Sequence, residues 1–325
     1  MQALVCHALS DNLSGVALAQ VASPSPGPGE ALVRVHAASI NFPDILMCQG
    51  RYQFRPEPPF VVGMDFAGTV EALGPDALGP AAGSPVMGGA RQGAFADLCV
   101  ASAAGLSPIP TGWSFAEAAA FPAAALTAYV ALVRRGRLEQ GETLLVHGAA
   151  GGVGLACVQL GLQWGARVIA CATSPEKRAF LERLGVTAAL PSAGFREPVL
   201  DLTNGRGADV VFDPVGGDVF DESLRVTAFD GRLLVIGFTS GRIATVPSNI
   251  PLIKGFSIVG VRAGEYGRRF PERGAENRTA ILTLAQAGHL RPHLHATLPL
   301  ARATEAMRLL MNRSVIGKVA LSIAA

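Results

Sequence analysis

From residue 142 onward, short apolar runs alternate with longer stretches of helical spacing. The runs fall at 143–147, 167–172, 188–190, 208–213, 232–237 and 256–261. Between them, 153–164, 176–184, 219–226 and 247–254 read as helices, the first with Val153, Ala156, Val158, Leu160 and Leu162 on its apolar face. Strands and helices in strict alternation predict an α/β domain built on a doubly wound parallel sheet, because each crossover returns the chain to the same end of the sheet.

Before residue 122 the period changes. Stretches 30–37 (EALVRVHA) and 61–73 (VVGMDFAGTVEAL) alternate as half-buried strands do, and 23–30 (SPSPGPGE) is a turn-rich loop. This part is rich in Val, Gly and Pro and predicts a mostly β, barrel-like domain. A helical stretch, 115–135, links it to the alternating region. After residue 266, helices are expected near 279–288 and 301–311, with a terminal strand at 318–323. There is no internal repeat and no low-complexity tract.

Composition narrows the class. The 325 residues are 50% hydrophobic and 16% charged, which suits large buried cores and about two domains. A net charge of +2 is too balanced to predict nucleic-acid or membrane binding. Cys6, Cys48, Cys99, Cys157 and Cys171 form no CxxC pair and suit a reducing, cytoplasmic setting. The N-terminal MQALVCHAL has neither a basic start nor a long apolar core, so no signal peptide is expected. No run of about 18 apolar residues is read, and no membrane span is expected.

The most specific chemistry lies in 142–178, ETLLVHGAAGGVGLACVQLGLQWGARVIACATSPEKR. Strand, glycine turn, helix and strand follow one another as a dinucleotide site requires. The turn reads Ala149-x-Gly151-x-x-Gly154, with alanine where the usual fingerprint has its first glycine. Ala150, Gly151, Gly152, Val153 and Gly154 bring backbone N–H groups and a helix N-terminus to the pyrophosphate. After the second strand an NAD site would carry an acid for the ribose 2′-hydroxyl. Here stand Thr173, Ser174, Lys177 and Arg178, hydroxyls and cations that suit a 2′-phosphate and therefore NADPH.

Several segments together carry a resemblance: EALVRVHAASINFPDILMCQGRY (30–52), PFVVGMDFAGTVEALG (59–74), VHGAAGGVGLACVQLG (146–161), DPVGG (213–217), GRLLVIGF (231–238) and IGKVAL (316–321). The chain resembles the zinc-independent, NADPH:quinone oxidoreductase (zeta-crystallin-like) branch of the medium-chain dehydrogenase/reductase superfamily. That resemblance implies a GroES-like catalytic domain at 1–122 and 265–325, and a Rossmann NADPH-binding domain at 123–264. It implies hydride transfer to quinones or to activated α,β-unsaturated carbonyls, and a homodimer joined through the apolar strand at 256–261.

Zinc-dependent members of the superfamily place a cysteine ligand where Asn41 stands and a histidine ligand where Met64 stands. An amide and a thioether are poor zinc donors, and the four-cysteine lobe is missing after Val86, so neither zinc site is expected. His293 and His295 are read as exposed histidines rather than a metal pair. Without a metal, hydrogen-bond donors must stabilise charge on the substrate oxygen, typically worth about 2.7–4 kcal/mol each.

The resemblance assigns Tyr52 to polarising the carbonyl or delivering the proton, Asn41 to orienting the nicotinamide ribose or substrate oxygen, and Arg262 to holding the substrate oxygen. It places Phe42, Pro43, Thr127, Gly237, Phe238 and Val261 along the cofactor, with Arg313 and Lys318 closing over it. Asp44 and Asp65 are expected to be structural, and Cys48 a packed thiol. The segment 188–194 (AALPSAG) lacks the tyrosine that some relatives turn to the 2′-phosphate. Two other readings stay open. One is an enoyl-thioester reductase using Arg268, Arg269 and Arg273 for a CoA or carrier arm. The other is a non-catalytic NADPH-binding protein.

Overall fold

The computed structural model describes residues 1–323. The chain opens with strands β1 (Gln2–Cys6), β2 (Val16–Gln20) and β3 (Glu30–Ser39), helix α1 (Phe42–Cys48), and strands β4 (Phe60–Val61), β5 (Asp65–Leu73), β6 (Pro85–Gly89), β7 (Leu98–Ser102) and β8 (Ser107–Pro108). Helices α2 (Phe115–Ala120) and α3 (Pro122–Tyr129) lead through a π-helical turn, Val130–Arg135, into the alternating region. That region comprises β9 (Thr143–Val146), α4 (Gly152–Gln163), β10 (Arg167–Ala172), α5 (Pro175–Arg183), β11 (Ala188–Pro191), α6 (Arg196–Leu202), β12 (Ala208–Asp213), α7 (Gly217–Val226), β13 (Thr227–Val235), α8 (Asn249–Lys254) and β14 (Ser257–Gly260). Helices α9 (Ala263–Arg269) and α10 (Pro271–Gln286) follow, then β15 (Leu294–Pro299), α11 (Ala303–Met311) and β16 (Lys318–Ser322).

Two compact units result. The first joins Met1–Ala123 to the segment from Arg291 onward; the second is Ala124–Leu290. The return to the first unit comes at Arg291, later than the expected 265. The reason is that α9 and α10 pack on the second unit. Arg134 donates to Asn277 Oδ1 at 2.8 Å and Glu276 Oε2 at 2.6 Å, so α10 is tied to the π-helical turn. The expected helix at 279–288 therefore begins earlier, at Pro271, whose fixed φ and missing N–H suit a first turn.

In the first unit, a seven-stranded sheet runs β15-β16-β3-β5-β6-β8 with β7 also on β3, and a smaller sheet runs β2-β1-β4. Their inner faces close over Phe66, Phe95, Ile40, Ile45, Met47, Val319 and Leu321, all buried. The C-terminal strand β16 lies antiparallel to β3, with Ala320 opposite Ser39. Chain ends far apart in sequence thus share one core.

The second unit is a six-stranded sheet, β11-β10-β9-β12-β13-β14, parallel at every pairing. The order reverses between β9 and β12, the switch point outside whose strand ends ligands bind in such folds. All five cysteines are free and buried. Phe115–Arg135 is, by length and composition, apolar enough to cross a membrane, contrary to the sequence reading that no such run exists. More than half of it is buried, and Pro122 splits it into α2 and α3, as suits the core helix of a folded domain.

One buried histidine ties the centre of the second unit. His147, directly after β9, lies against the Phe195 ring at 4.6 Å and bonds Ser223 Oγ on α7 through Nε2 at 2.9 Å. Ser223 in turn donates to Val219 O at 2.7 Å, so the histidine nitrogen is the donor. Burial pulls its pKa down to about 3. Between that value and the unfolded value near 6.5, the unfolded chain binds the extra proton, so this residue makes stability fall as pH falls. We expect the unfolding free energy from urea melts between pH 6.5 and 4 to fall less steeply in His147→Gln than in wild type, by about 1.4 kcal/mol per pH unit. Equal slopes in the two proteins would refute the assignment.

Candidate functional site

In the second unit, β9 runs into a turn that a side chain would block. Gly148 has φ +58°, and a Cβ at Gly154 would stand 2.3 Å from Gly148 O. Glycine at 154 thus lets α4 begin hard against the turn. The N-cap residue Gly151 supplies no side-chain cap, so the first N–H groups of this twelve-residue helix are left for an external acceptor. Ala150 is buried, while Gly151, Gly152 and Val153 are half-buried at the mouth of the turn. This is the cradle a pyrophosphate requires.

At the end of β10 the hydroxyls and cations named in the sequence lie close together. Ser174 caps α5, accepting from Lys177 N at 3.3 Å. Arg178 Nη1 lies back over the strand end, 3.4 Å from Ala172 O and 3.5 Å from Thr173 O. No carboxylate occupies positions 172–174. Gly237 and Phe238 lie in the loop after β13, and Phe238 is exposed. Val261 is buried, its N–H bonded to Val235 O at 2.9 Å, and the exposed Arg262 follows it at the start of α9. Thr127 is half-buried on α3.

In the first unit, a buried polar network surrounds Asn41. Asp44, at the third position of α1, reaches back to accept from Asn41 N at 2.7 Å, and Pro43 helps start the helix. Asn41 Nδ2 donates to Asp65 Oδ2 at 2.9 Å and lies 3.5 Å from Ser39 O. Its Oδ1 accepts from Lys318 Nζ at 2.6 Å, and the same ammonium donates to Ile40 O at 2.9 Å. Burial pulls the Lys318 ammonium below its ordinary range, while the charges of Asp65 and Asp44 oppose the shift. Burial raises Asp65, against the pull of Lys318 and the bond from Asn41. Asp44 is pushed up to about 8 by burial, with donation from Asn41 and the Lys318 charge working against it.

This network corrects one expectation. Lys318 does not reach out to close over a ligand; it is 5% exposed and bonded to Ile40 and Asn41. Asp44 and Asp65 are both bonded to Asn41, one at its backbone N–H and one at its side-chain amide, rather than acting as separate turn acids. The sequence signal was IGKVAL, an isolated lysine opening an apolar strand, where a charge must either emerge or be paired.

Tyr52 is half-buried against the core of the first unit, and its carbonyl accepts from Arg55 Nε at 3.2 Å. Phe42 is likewise packed there, and Pro43 is half-buried beside it. Arg313 is exposed after α11, with φ +55°. Met64 is half-buried, and among the described residues no group of three or more His, Cys, Asp or Glu is placed to hold a metal ion. His293 and His295 are exposed. Cys48 is buried, and burial raises its thiol.

Breaking the Lys318 network is expected to be costly. Lys318→Met strands Asp65 and Asn41 without their buried cation and is expected to destabilise the protein by about 3–5 kcal/mol in urea unfolding. Adding Asp65→Asn, which removes the stranded charge, is expected to return part of that loss.

Comparison with known proteins agrees with this fold. The Alcohol dehydrogenase GroES-like domain family matches residues 27–131, and the Zinc-binding dehydrogenase family matches residues 152–277. The mouse quinone oxidoreductase-like protein 2 is 36% identical over 325 residues, covering 99% of this chain and 92% of its own. The quinone oxidoreductase of Thermus thermophilus, solved also in complex with NADPH, superposes with a TM-score of 0.88 at 33% identity, covering 99% of this chain and 100% of that one. A phthioceranic/hydroxyphthioceranic acid synthase of Mycobacterium tuberculosis is 33% identical over 92% of this chain, which spans only 14% of the synthase. The chain therefore belongs to the medium-chain dehydrogenase/reductase superfamily, in its quinone oxidoreductase branch.

Proposed function

We propose that this protein is an NADPH-dependent reductase that passes hydride to a quinone or an activated alkene without zinc. The observation that carries the reading is the pairing of an uncapped glycine-turn helix with a β10 end that lacks a carboxylate and holds Ser174, Lys177 and Arg178. NADPH, when bound, supplies the hydride. The α4 N-terminus would hold its pyrophosphate, and the β10 residues its 2′-phosphate. In the first unit Tyr52 is the proposed hydrogen-bond donor to the substrate oxygen and source of the proton; in the second unit Arg262 is a separate proposed donor. Asn41 has both ends of its amide bonded inside the first unit, so its proposed part is to fix the turn that carries Phe42 and Pro43.

The thioester reading finds less support. Arg268 and Arg269 are both paired with Glu265, at 3.1 and 3.0 Å, and Arg273 donates to the Tyr266 hydroxyl at 3.0 Å. The arginines proposed for a CoA or carrier arm are thus already engaged. A homodimer is part of the proposal. β14 is one of the two edges of the sheet, and Phe229 and Leu252 are each 81% exposed in the same unit. Five unpaired thiols suit a cytoplasmic setting.

The deciding assay follows NADPH and NADH oxidation across quinones, enones and enoyl-CoA thioesters. Turnover with NADPH and a quinone or enone is expected; faster turnover of the thioesters would favour the other reading. Tyr52→Phe is expected to lower kcat/KM about 10²-fold, and an unchanged value would remove Tyr52 from the mechanism. Arg178→Ala is expected to weaken NADPH about tenfold and leave NADH nearly unchanged, as checked by fluorescence titration.

A further inference from the structure

A carboxyl at the switch point has no role in that reading. Asp213 ends β12 and is 1% exposed. Its Oδ1 accepts from Val215 N at 2.7 Å and Gly216 N at 3.0 Å, folding the chain into a tight turn over 213–217. Oδ2 is buried and has no partner among the described residues. The turn needs glycine twice, with φ +69° at Gly216 and +58° at Gly217.

The turn touches two other segments. On one side it is bonded to the loop after β13: Ile236 N donates to Asp213 O at 2.9 Å, Thr239 N to Pro214 O at 3.1 Å, and Ser240 N to Val215 O at 2.9 Å. Arg242 O accepts from Gly217 N at 3.1 Å. The approach is close enough that a Cβ on Gly216 would stand 3.0 Å from the Phe238 ring. On the other side, a Cβ on Gly148 would stand 3.3 Å from Pro214 Cγ. The turn therefore lies against both the glycine cradle and the Gly237–Phe238 loop.

We propose that Asp213 is a positioning residue for the dinucleotide, whose Oδ1 shapes the 213–217 turn and through it holds the glycine cradle and the 236–242 loop in their binding geometry. The inference rests on the reading that NADPH binds this unit. Asp213 itself need not touch the ligand; it acts through Pro214 on Gly148 and through the backbone bonds on Thr239 and Ser240. Its effect falls on the pyrophosphate and nicotinamide ends, and the 2′-phosphate end at Ser174–Arg178 is left alone. Asn at 213 keeps the Oδ1 acceptor but buries an unpaired amide, so it costs stability while preserving the turn. This separates positioning from stability.

The test uses hydrogen exchange on the ligand-free protein, with NADPH and adenosine 2′-monophosphate titrations beside it. In Asp213→Ala, faster exchange is expected at the amides of Gly151, Thr239 and Ser240, with NADPH weakened about tenfold and adenosine 2′-monophosphate within about twofold of wild type. Asp213→Asn is expected to keep wild-type exchange at those amides and wild-type NADPH affinity despite a lower Tm. Gly216→Ala strains the same turn with the carboxyl intact and is expected to match Asp213→Ala; it serves if the alanine variant does not fold. Unchanged exchange at Gly151 or at Thr239 and Ser240 would overturn the proposal, as would equal weakening of both ligands or Asp213→Asn behaving like Asp213→Ala. If wild type itself binds no NADPH, the functional reading fails, and the exchange pattern still decides what Asp213 holds.

Discussion

A buried ammonium must find hydrogen bonds or lose its charge, and Lys318 finds them on a segment 277 residues away in the chain. Its bonds to Ile40 O and Asn41 Oδ1 fix where β16 begins against β3 and how α1 begins. Asp65 at the start of β5 holds the other end of the same amide. One side chain thereby sets the mutual register of three elements at the point where Phe42 and Pro43 leave the sheet. The desolvation cost is met by geometry, with two strong acceptors on the lysine and one carboxylate beside it. Removing any one partner would leave the others buried and unmatched.

Much of the second unit was legible because its signals are local. Apolar runs mark parallel strands, glycines mark the turn, and Ser174 followed by Pro175 marks a helix start. The helices at 196–202 and 263–269 were not read. Their segments, REPVLDL and AGEYGRR, are short and carry no clear apolar stripe, so packing rather than periodicity decides them. The late return at Arg291 was hidden for a related reason. What assigns α10 to the second unit is a pair of bonds from Arg134, a tertiary fact with no trace in local pattern. At the candidate site, the glycine cradle and the β10 end could be read directly. Lys318 could not, since a lysine beginning an apolar strand is compatible with reaching out or turning in, and only the carboxylates brought by α1 and β5 decide between them.

The same accounting governs the centre of the sheet. Parallel strands end in a row at the switch point, and their last residues carry polar groups with nowhere to go but inward or to a ligand. His147 turns inward, stays neutral and spends its one N–H on Ser223. Asp213 bends its own backbone around one oxygen and leaves the other unpaired. Two adjacent strand ends thus take opposite solutions, one closing a link to α7, the other building the turn on which two loops rest.

These placements bear on how negative charge on a substrate oxygen can be met. At positions 41 and 64 stand an amide and a thioether, which are poor zinc donors. Lys318 brings a positive charge to the same place, but Asp65 compensates it and Asn41 lies between as the shared hydrogen-bond partner. The network is therefore close to neutral, and both ends of the Asn41 amide are taken. It can hold a backbone in place but has little field left to offer an oxyanion. That is why the proposal gives the donor role in this unit to Tyr52, a hydroxyl outside the network, rather than to Asn41 or Lys318.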